Sequence, residues 1–405
     1  MFKESLVKKE LPLEFSSSEK KNPPHRASII SPIDVKPLAK RSTVTPTHEA
    51  SAPGQDEPPT ISVDQQLQRR IKHSFAESHS APATQADFYK VGKVIGKGAF
   101  GKVNLAIHKL SGKFVALKSI NKQLMNEEVT KRKIFHEFNI MRITAHANIV
   151  KLLEQFDTPH HTVFVTEVCG GGDLLSYVRK RRRLREDVAC HLFGQLIQGL
   201  EYCHSNKVLH RDIKLDNVLL TSTGTVKICD FGVSKLISDP KELIFEQCGT
   251  PAYIAPEVFA NKGYCGFASD IWSAGVVLFT MLYGMVPFKA PNIKDLQQTV
   301  LKCSLDYKED FGDPVSDEAI SFLKSILVRE PKERLTPRQM FAHKWMKQNS
   351  AQKVNVFTRA EREKIRSEFE YFQVKKDPDS TTVGDPFCGE LLITTRNCEL
   401  KNAST

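Results

Sequence analysis

A chain of 405 residues is long enough to bury a large core, as one two-lobed unit or as two domains. Its 40% hydrophobic and 26% charged content is that of an ordinary globular protein rather than a fibrous or low-complexity one. The net charge of +11 is concentrated between residues 88 and 346, where cations exceed anions by nine; that suits a polyphosphate ligand, and no nucleic-acid motif accompanies it, so nucleic acid is not the expected partner.

Residues 1–87 are rich in Ser, Pro, Thr, Ala, Lys and Glu. They hold too little apolar area to offset their ordering entropy, so they are expected to be disordered, with one short helix over 63–75. The start carries neither a charged-then-apolar leader nor the glycine of a myristoylation signal. Order is expected from Phe88. Strand-like alternation covers 89–95 and 102–107, with glycines between, and a further strand is predicted over 114–120. A helix follows over 127–144 and a short strand over 163–168, after which the pattern is mainly helical to Met346. Strands first and helices after imply an α+β, two-lobed fold: a small sheet-rich lobe over 88–168 and a larger helical lobe over 169–346.

Ile271 to Phe288 carries no charge for eighteen residues, the length of a membrane span. Its Ser273, Gly275, Gly284 and Pro287 and its place inside the helical region predict a buried core helix instead, so no membrane span is expected. All nine cysteines lie at or after Cys169 with no metal-ligand spacing, which predicts free thiols in a reducing compartment: the cytoplasm, with the nucleus open to it.

Four runs carry the chemistry. Gly96-Lys97-Gly98-Ala99-Phe100-Gly101-Lys102-Val103 has glycine spacing that lets a turn approach phosphates with its N–H groups facing the anion. The same spacing serves dinucleotide folds, but there a helix would follow, whereas here a strand with Val115-Ala116-Leu117-Lys118 does. That order makes a hairpin lid over a nucleotide, with Lys118 reaching the phosphates and Glu137, on the next helix, orienting it. His210-Arg211-Asp212-Ile213-Lys214-Leu215-Asp216-Asn217 and, thirteen positions on, Asp230-Phe231-Gly232 place a proton acceptor, a cation and two oxygen ligands for Mg²⁺ on nearby turns. Phosphoryl transfer is catalysed mostly by positioning and charge neutralisation, which such a set supplies.

With these motifs in order, residues 88–346 resemble the eukaryotic protein Ser/Thr kinases. Cys248-Gly249-Thr250-Pro251, Ala255-Pro256-Glu257 and Asp270-Ile271-Trp272 extend the likeness, and Gly170-Gly171-Gly172-Asp173-Leu174 and Gly199-Leu200-Glu201-Tyr202 bring it nearest to the calcium/calmodulin-dependent and AMP-activated-like kinases. The resemblance implies ATP and Mg²⁺, with Asp212 as catalytic base and Lys214, Lys118, Glu137 and Thr250 acting beside it. It implies Asn217 and Asp230 as metal ligands. Nucleotide contacts are implied at Ile95, Gly96, Lys97, Gly98, Ala99, Phe100, Gly101, Lys102, Val103, Ala116 and Lys118, and near the hinge at Glu167, Cys169 and Asp173. Thr166 stands at the gatekeeper position, Asp270 should brace His210 and Arg211, and Arg334 should pair with Glu257. A pseudokinase scaffold is the competing reading, but none of the reacting residues is missing; a small-molecule kinase is disfavoured by the Gly249-Thr250-Pro251 segment.

Protein substrates rich in Arg or Lys near the target hydroxyl are expected, because Asp173 and Asp216 stand where basophilic kinases read arginine. By the same resemblance Glu246 occupies the place of an activating phosphothreonine two residues before Cys248, and can hold Arg211 without modification; Ser234, Ser238 and Thr250 are the alternative switches. The six cations in Arg179 to Arg185 are expected to form a solvated loop. In the tail, residues 347–405, a short helix carrying Ile365, Phe369 and Phe372 on one face is expected to pack on the kinase's own surface, and the remainder to be disordered.

Overall fold

The protein's structure, a computed structural model, describes residues 85–98, 101–305, 307, 314–350 and 354–374. The N-terminal extension with its helix over 63–75, and the tail beyond 374, lie outside the described residues, as do Ala99 and Phe100 of the glycine run.

A 3-10 turn, Gln85–Phe88, seats Ala86 in the core and leads into the first strand, so packing begins slightly before Phe88. Five strands form one antiparallel sheet: β1 (Tyr89–Gly98), β2 (Gly101–His108), β3 (Phe114–Asn121), β4 (Leu152–Asp157) and β5 (His161–Glu167), in the order β1-β2-β3-β5-β4. β1 runs three residues past the predicted end at Ile95, through register shifts between Val91 and Gly96 that twist it over the sheet. β4 has no counterpart in the sequence reading: it is an edge strand with only Phe156 buried, so its alternation is weak. The central strand β3 pairs with β2 on one side and β5 on the other, Val103 facing Lys118 and Lys118 facing Phe164, and so fixes Lys118 from both sides.

α1 (Glu128–Ile143) lies within the predicted 127–144, and buries Ile134, Glu137, Ile140 and Met141. The spacing is that of one helical face, so Glu137 is a carboxylate placed where the fold wants an apolar side chain. Such a group needs a partner.

The larger lobe holds α2 (Leu174–Arg181), α3 (Glu186–Ser205), α4 (Pro256–Phe259), α5 (Gly266–Tyr283), α6 (Ile293–Lys302), α7 (Asp317–Ile326), α8 (Pro337–Ala342), α9 (Lys344–Ser350) and α10 (Arg359–Val374). Among them run five short strands: β6 (Gly172–Asp173), β7 (Val208–Leu209), β8 (Val218–Leu220), β9 (Val226–Ile228) and β10 (Lys235–Leu236). β6-β8-β9 form one small sheet and β7 pairs with β10. Those strands frame the loops bearing Asp212 and Asp230.

The charge-free segment starts inside α5, just after Asp270, and is buried there around Trp272, whose ring stacks on Phe288. Beside it the Arg334 guanidinium, almost fully buried, meets Glu257 through two bonds of 2.7 Å and also donates to the carbonyls of Ala268, Val328 and Arg329. This pair locks the α4 segment to the lobe's base. Removing one member strands the other charge in a dry site, so Glu257→Ala is expected to destabilise the fold by about 3 kcal/mol, read from urea unfolding. A loss under about 1 kcal/mol, the value of an exposed pair, would contradict a locking role.

Candidate active site

Burial dictates the first contact. The Glu137 carboxylate is only 2% exposed, and its Oε1 accepts from Lys118 Nζ at 2.5 Å. Burial alone would depress the Lys118 ammonium, but Glu137 and the nearby Asp230 outweigh it and hold it above its ordinary value. The other oxygen, Glu137 Oε2, is buried without a partner among the described residues.

Lys118 and Glu137 face a cavity of about 580 Å³ between the two lobes, a size that suits a small-molecule ligand. The implied nucleotide contacts Ile95, Gly96, Lys97, Val103, Ala116, Glu167, Cys169 and Asp173 line it, and so do Thr166, Asn217 and Asp230. Gly101 and Lys102 are not among its lining residues. Gly101 has a different reason to be glycine: a Cβ there would stand 1.8 Å from the Ser119 carbonyl, so it permits β2 to close on β3 rather than on a phosphate. Glu167 lends little through its side chain, which is taken by Lys227 Nζ at 2.6 Å and the Lys151 N–H at 2.8 Å. That carboxylate ties the hinge to β9. Asp173 is likewise occupied, capping α2 through the N–H and hydroxyl of Ser176.

The loop that carries Asp212 is built from below. Asp270, 1% exposed at the start of α5, accepts from the N–H groups of His210 and Arg211 and from His204. Burial would raise its carboxyl, but His204 and those donors hold it below the ordinary range. Arg211 has φ of 67° and Asp230 of 64°, conformations that non-glycine residues adopt at a cost of about 1–3 kcal/mol. The His210 ring bridges the Cys229 carbonyl and the Asp212 N–H, and Phe231, fully buried, lies 5.0 Å from it. One contact set therefore couples the loops of Asp212 and Asp230.

Asp212 sits where four donors converge. Its Oδ1 accepts from the Thr250 N–H (2.9 Å) and hydroxyl (2.8 Å), and its Oδ2 from Lys214 Nζ (2.7 Å) and Asn217 Nδ2 (3.0 Å). Lys214 Nζ also donates to the Thr250 hydroxyl at 2.8 Å. Asp212, Lys214 and Thr250 are therefore mutually bonded, while Asp212 and Thr250 line a small recess next to the main cavity. Asn217 links this set to the main cavity: its amide N–H₂ is spent on Asp212, which leaves its oxygen as the acceptor, and it lines the cavity beside Asp230.

The residues fit a hard divalent cation bound together with phosphates. No cluster of three or more acidic, His or Cys ligands occurs among the described residues, and Mg²⁺ characteristically takes one or two protein oxygens plus substrate phosphates. Asn217 and Asp230, which line the cavity together, offer two such oxygens.

The apolar walls, Leu105, Met141, Val150, Phe164 and Leu219, went unnamed in the sequence because single hydrophobic residues in strands carry no chemical signal. Neither did the sequence place Glu368 and Phe369 of α10 in the cavity wall, where they stand. Cys169 and Cys229 both line it, and burial pushes both thiols up, Cys169 to about 12. Being protonated at neutral pH, Cys169 should alkylate with iodoacetamide at pH 8 at least about tenfold slower than a free peptide thiol, as followed by mass spectrometry. A rate equal to the peptide's would contradict the buried placement.

The family description "Protein kinase domain" matches residues 89–346. "Serine/threonine protein kinase OSK3" of Oryza sativa subsp. indica is 38% identical over 257 residues, 64% of this chain and 50% of its own length. "CBL-interacting serine/threonine-protein kinase 5" of Arabidopsis thaliana is 39% identical over 264 residues, 64% of this chain and 58% of its own. "CBL-interacting protein kinase 9" of Oryza sativa subsp. japonica is 37% identical over 268 residues, 66% and 58%. This chain spans about half the length of the curated relatives it matches.

Proposed function

This chain belongs to the protein kinase family, and from that premise we propose that it transfers the γ-phosphate of ATP to Ser or Thr hydroxyls of protein substrates. The observation that carries the reading is the convergence of Lys214, Thr250 and Asn217 on Asp212 beside a cavity holding the Lys118–Glu137 pair.

Asp212 Oδ1, now bonded to the Thr250 hydroxyl, is the atom that accepts the proton of the attacking alcohol. Lys214 Nζ, bonded to Asp212 Oδ2 and to the Thr250 hydroxyl, stands where negative charge passes between alcohol and phosphate. Lys118, fixed by Glu137, orients the phosphates, and Asn217 and Asp230 supply the metal-facing oxygens. When bound, Mg²⁺ neutralises charge on the phosphate oxygens.

Substrates with Arg or Lys near the target hydroxyl are part of the proposal. Asp216 supports it, being exposed at the cavity mouth; Asp173 supports it less, since its carboxylate caps α2. A reducing location, the cytoplasm with access to the nucleus, accords with the seven free cysteines among the described residues.

Incubation with labelled ATP and a degenerate peptide library tests activity and preference together, with Asp230→Asn as the inactive control. Asp212→Asn should lower turnover by about 10²–10⁴-fold, the reach of a general base, and leave Mg·ATP affinity nearly unchanged. Equal turnover in the two proteins would remove Asp212 from the chemistry. Selection of acidic or proline-directed peptides would remove the basic preference.

We also propose that Glu246 replaces an activating phosphate. Its Oε2 accepts from Arg211 Nη1 at 2.8 Å, and Arg211 holds its carboxyl below the usual range. The Tyr264 hydroxyl donates to the Glu246 carbonyl and fixes the segment. Ser234, by contrast, is buried against the His210 carbonyl, a poor place for modification. A carboxyl whose folded value is depressed contributes above its unfolded value near 4.5 and loses that contribution only as pH falls further, so the contact is at full strength at neutral pH. Glu246 is 68% exposed, so the pair is worth at most about 1 kcal/mol and is weakened by salt. Phosphatase-treated protein should be active, and Glu246→Gln should lower its turnover by up to about fivefold, less in high salt. An inactive phosphatase-treated wild type would dispose of the idea.

A further inference from the structure

α10 lies beyond the family match, which ends at residue 346, and yet it touches both lobes and the cavity. The chain enters it through Val356 and Phe357, both buried in the main core. The Tyr177 hydroxyl donates to the Val356 carbonyl at 2.5 Å, and the Tyr177 ring meets Phe357 edge-on at 5.5 Å. Thr358 and Glu361 then start the helix with reciprocal side chain-to-backbone bonds, a capping box. Glu361 does more than cap. Its carboxylate takes Arg181 through two bonds of 2.7 and 2.8 Å and Lys180 at 2.7 Å, so two cations of the Arg179–Arg185 run are an anchor rather than part of a solvated loop.

From that anchor the helix crosses the hinge. Between Glu361 and Glu370 only Glu361, Ile365 and Phe369 are not exposed, a single face at four-residue spacing. Gly170 in the hinge accommodates it: a Cβ there would stand 2.7 Å from the Phe369 ring and 3.2 Å from Ile365. At the far side Phe369 meets Phe114 of β3 edge-on at 4.8 Å, and Glu368 reaches Lys93 of β1 at 3.4 Å. Phe369 and Glu368 line the cavity, which retains about 580 Å³; the helix walls the space and does not fill it.

We propose that α10 is a working part of the nucleotide site: Phe369 forms its hinge-side wall, and the strap from Glu361 to Phe114 holds the lobes at the spacing a nucleotide needs. The proposal rests on the nucleotide reading of the cavity. Seating α10 therefore tightens nucleotide binding, and unseating it from a distance weakens it.

Calorimetric titration of the full chain with the non-hydrolysable analogue AMP-PNP in excess Mg²⁺ tests this, with a melting curve for each variant. Phe369→Ala should raise Kd by about fivefold, the scale of one edge-on aromatic contact, and Phe369→Leu by less. Glu361→Lys, at the anchor and outside the cavity, should raise Kd similarly while the lobes stay folded. Arg366→Ala, on the exposed face, should leave Kd unchanged. A Kd within twofold of wild type in both Phe369→Ala and Glu361→Lys overturns the proposal, even where melting falls. A lower Kd in either overturns it too, since the helix would then obstruct the site. Absence of any binding by the wild type overturns the nucleotide reading itself.

Discussion

The site depends on a carboxylate that reacts with nothing. Asp270, buried at the head of α5, holds the backbone N–H groups of His210 and Arg211 and so maintains a loop that bends through a positive φ. From that support follow the His210 bridge to the Asp230 segment, the direction of Arg211 toward Glu246, and the place of Asp212. Strain in a functional loop persists only where the surroundings over-determine it. Here a fully buried helix supplies the surroundings.

The same economy appears in the small lobe. A charged residue on the apolar face of α1 is unfavourable until Lys118 arrives from β3, and β3 is placed by strands on both sides. The pair is therefore a reporter of packing: it forms only when sheet and helix are docked. Both lobes line the cavity, the loop of Asp212 belongs to the larger one, and Asn217 joins the two by bonding Asp212 while facing the cavity.

Much of this was legible in the sequence. The glycine run, Lys118, Asp212, Asn217 and Asp230 are chemical types at fixed spacing, and Arg334 with Glu257 could be matched in the same way. β4 was not legible, because an edge strand with one buried residue leaves no alternation, nor were two-residue strands such as β6 and β7, too short to have a period. Spacing alone does not say that Gly101 also serves a neighbouring strand, where a Cβ would meet the Ser119 carbonyl. Phe369 was legible as apolar on a helical face; that the face lies on the hinge depends on contacts with residues such as Gly170 and Phe114, 199 and 255 positions earlier.

Two lobes, one cavity and one carboxylate form a single device only if a nucleotide binds with its phosphates at the junction between them. The most direct measurement is a crystal structure with Mg²⁺, a non-hydrolysable ATP analogue and a Ser-containing peptide. The account requires metal at about 2.1 Å from oxygens of Asn217 and Asp230, and the peptide hydroxyl within hydrogen-bond reach of Asp212. Phosphates bound away from Asn217, or a hydroxyl turned from Asp212, would contradict it.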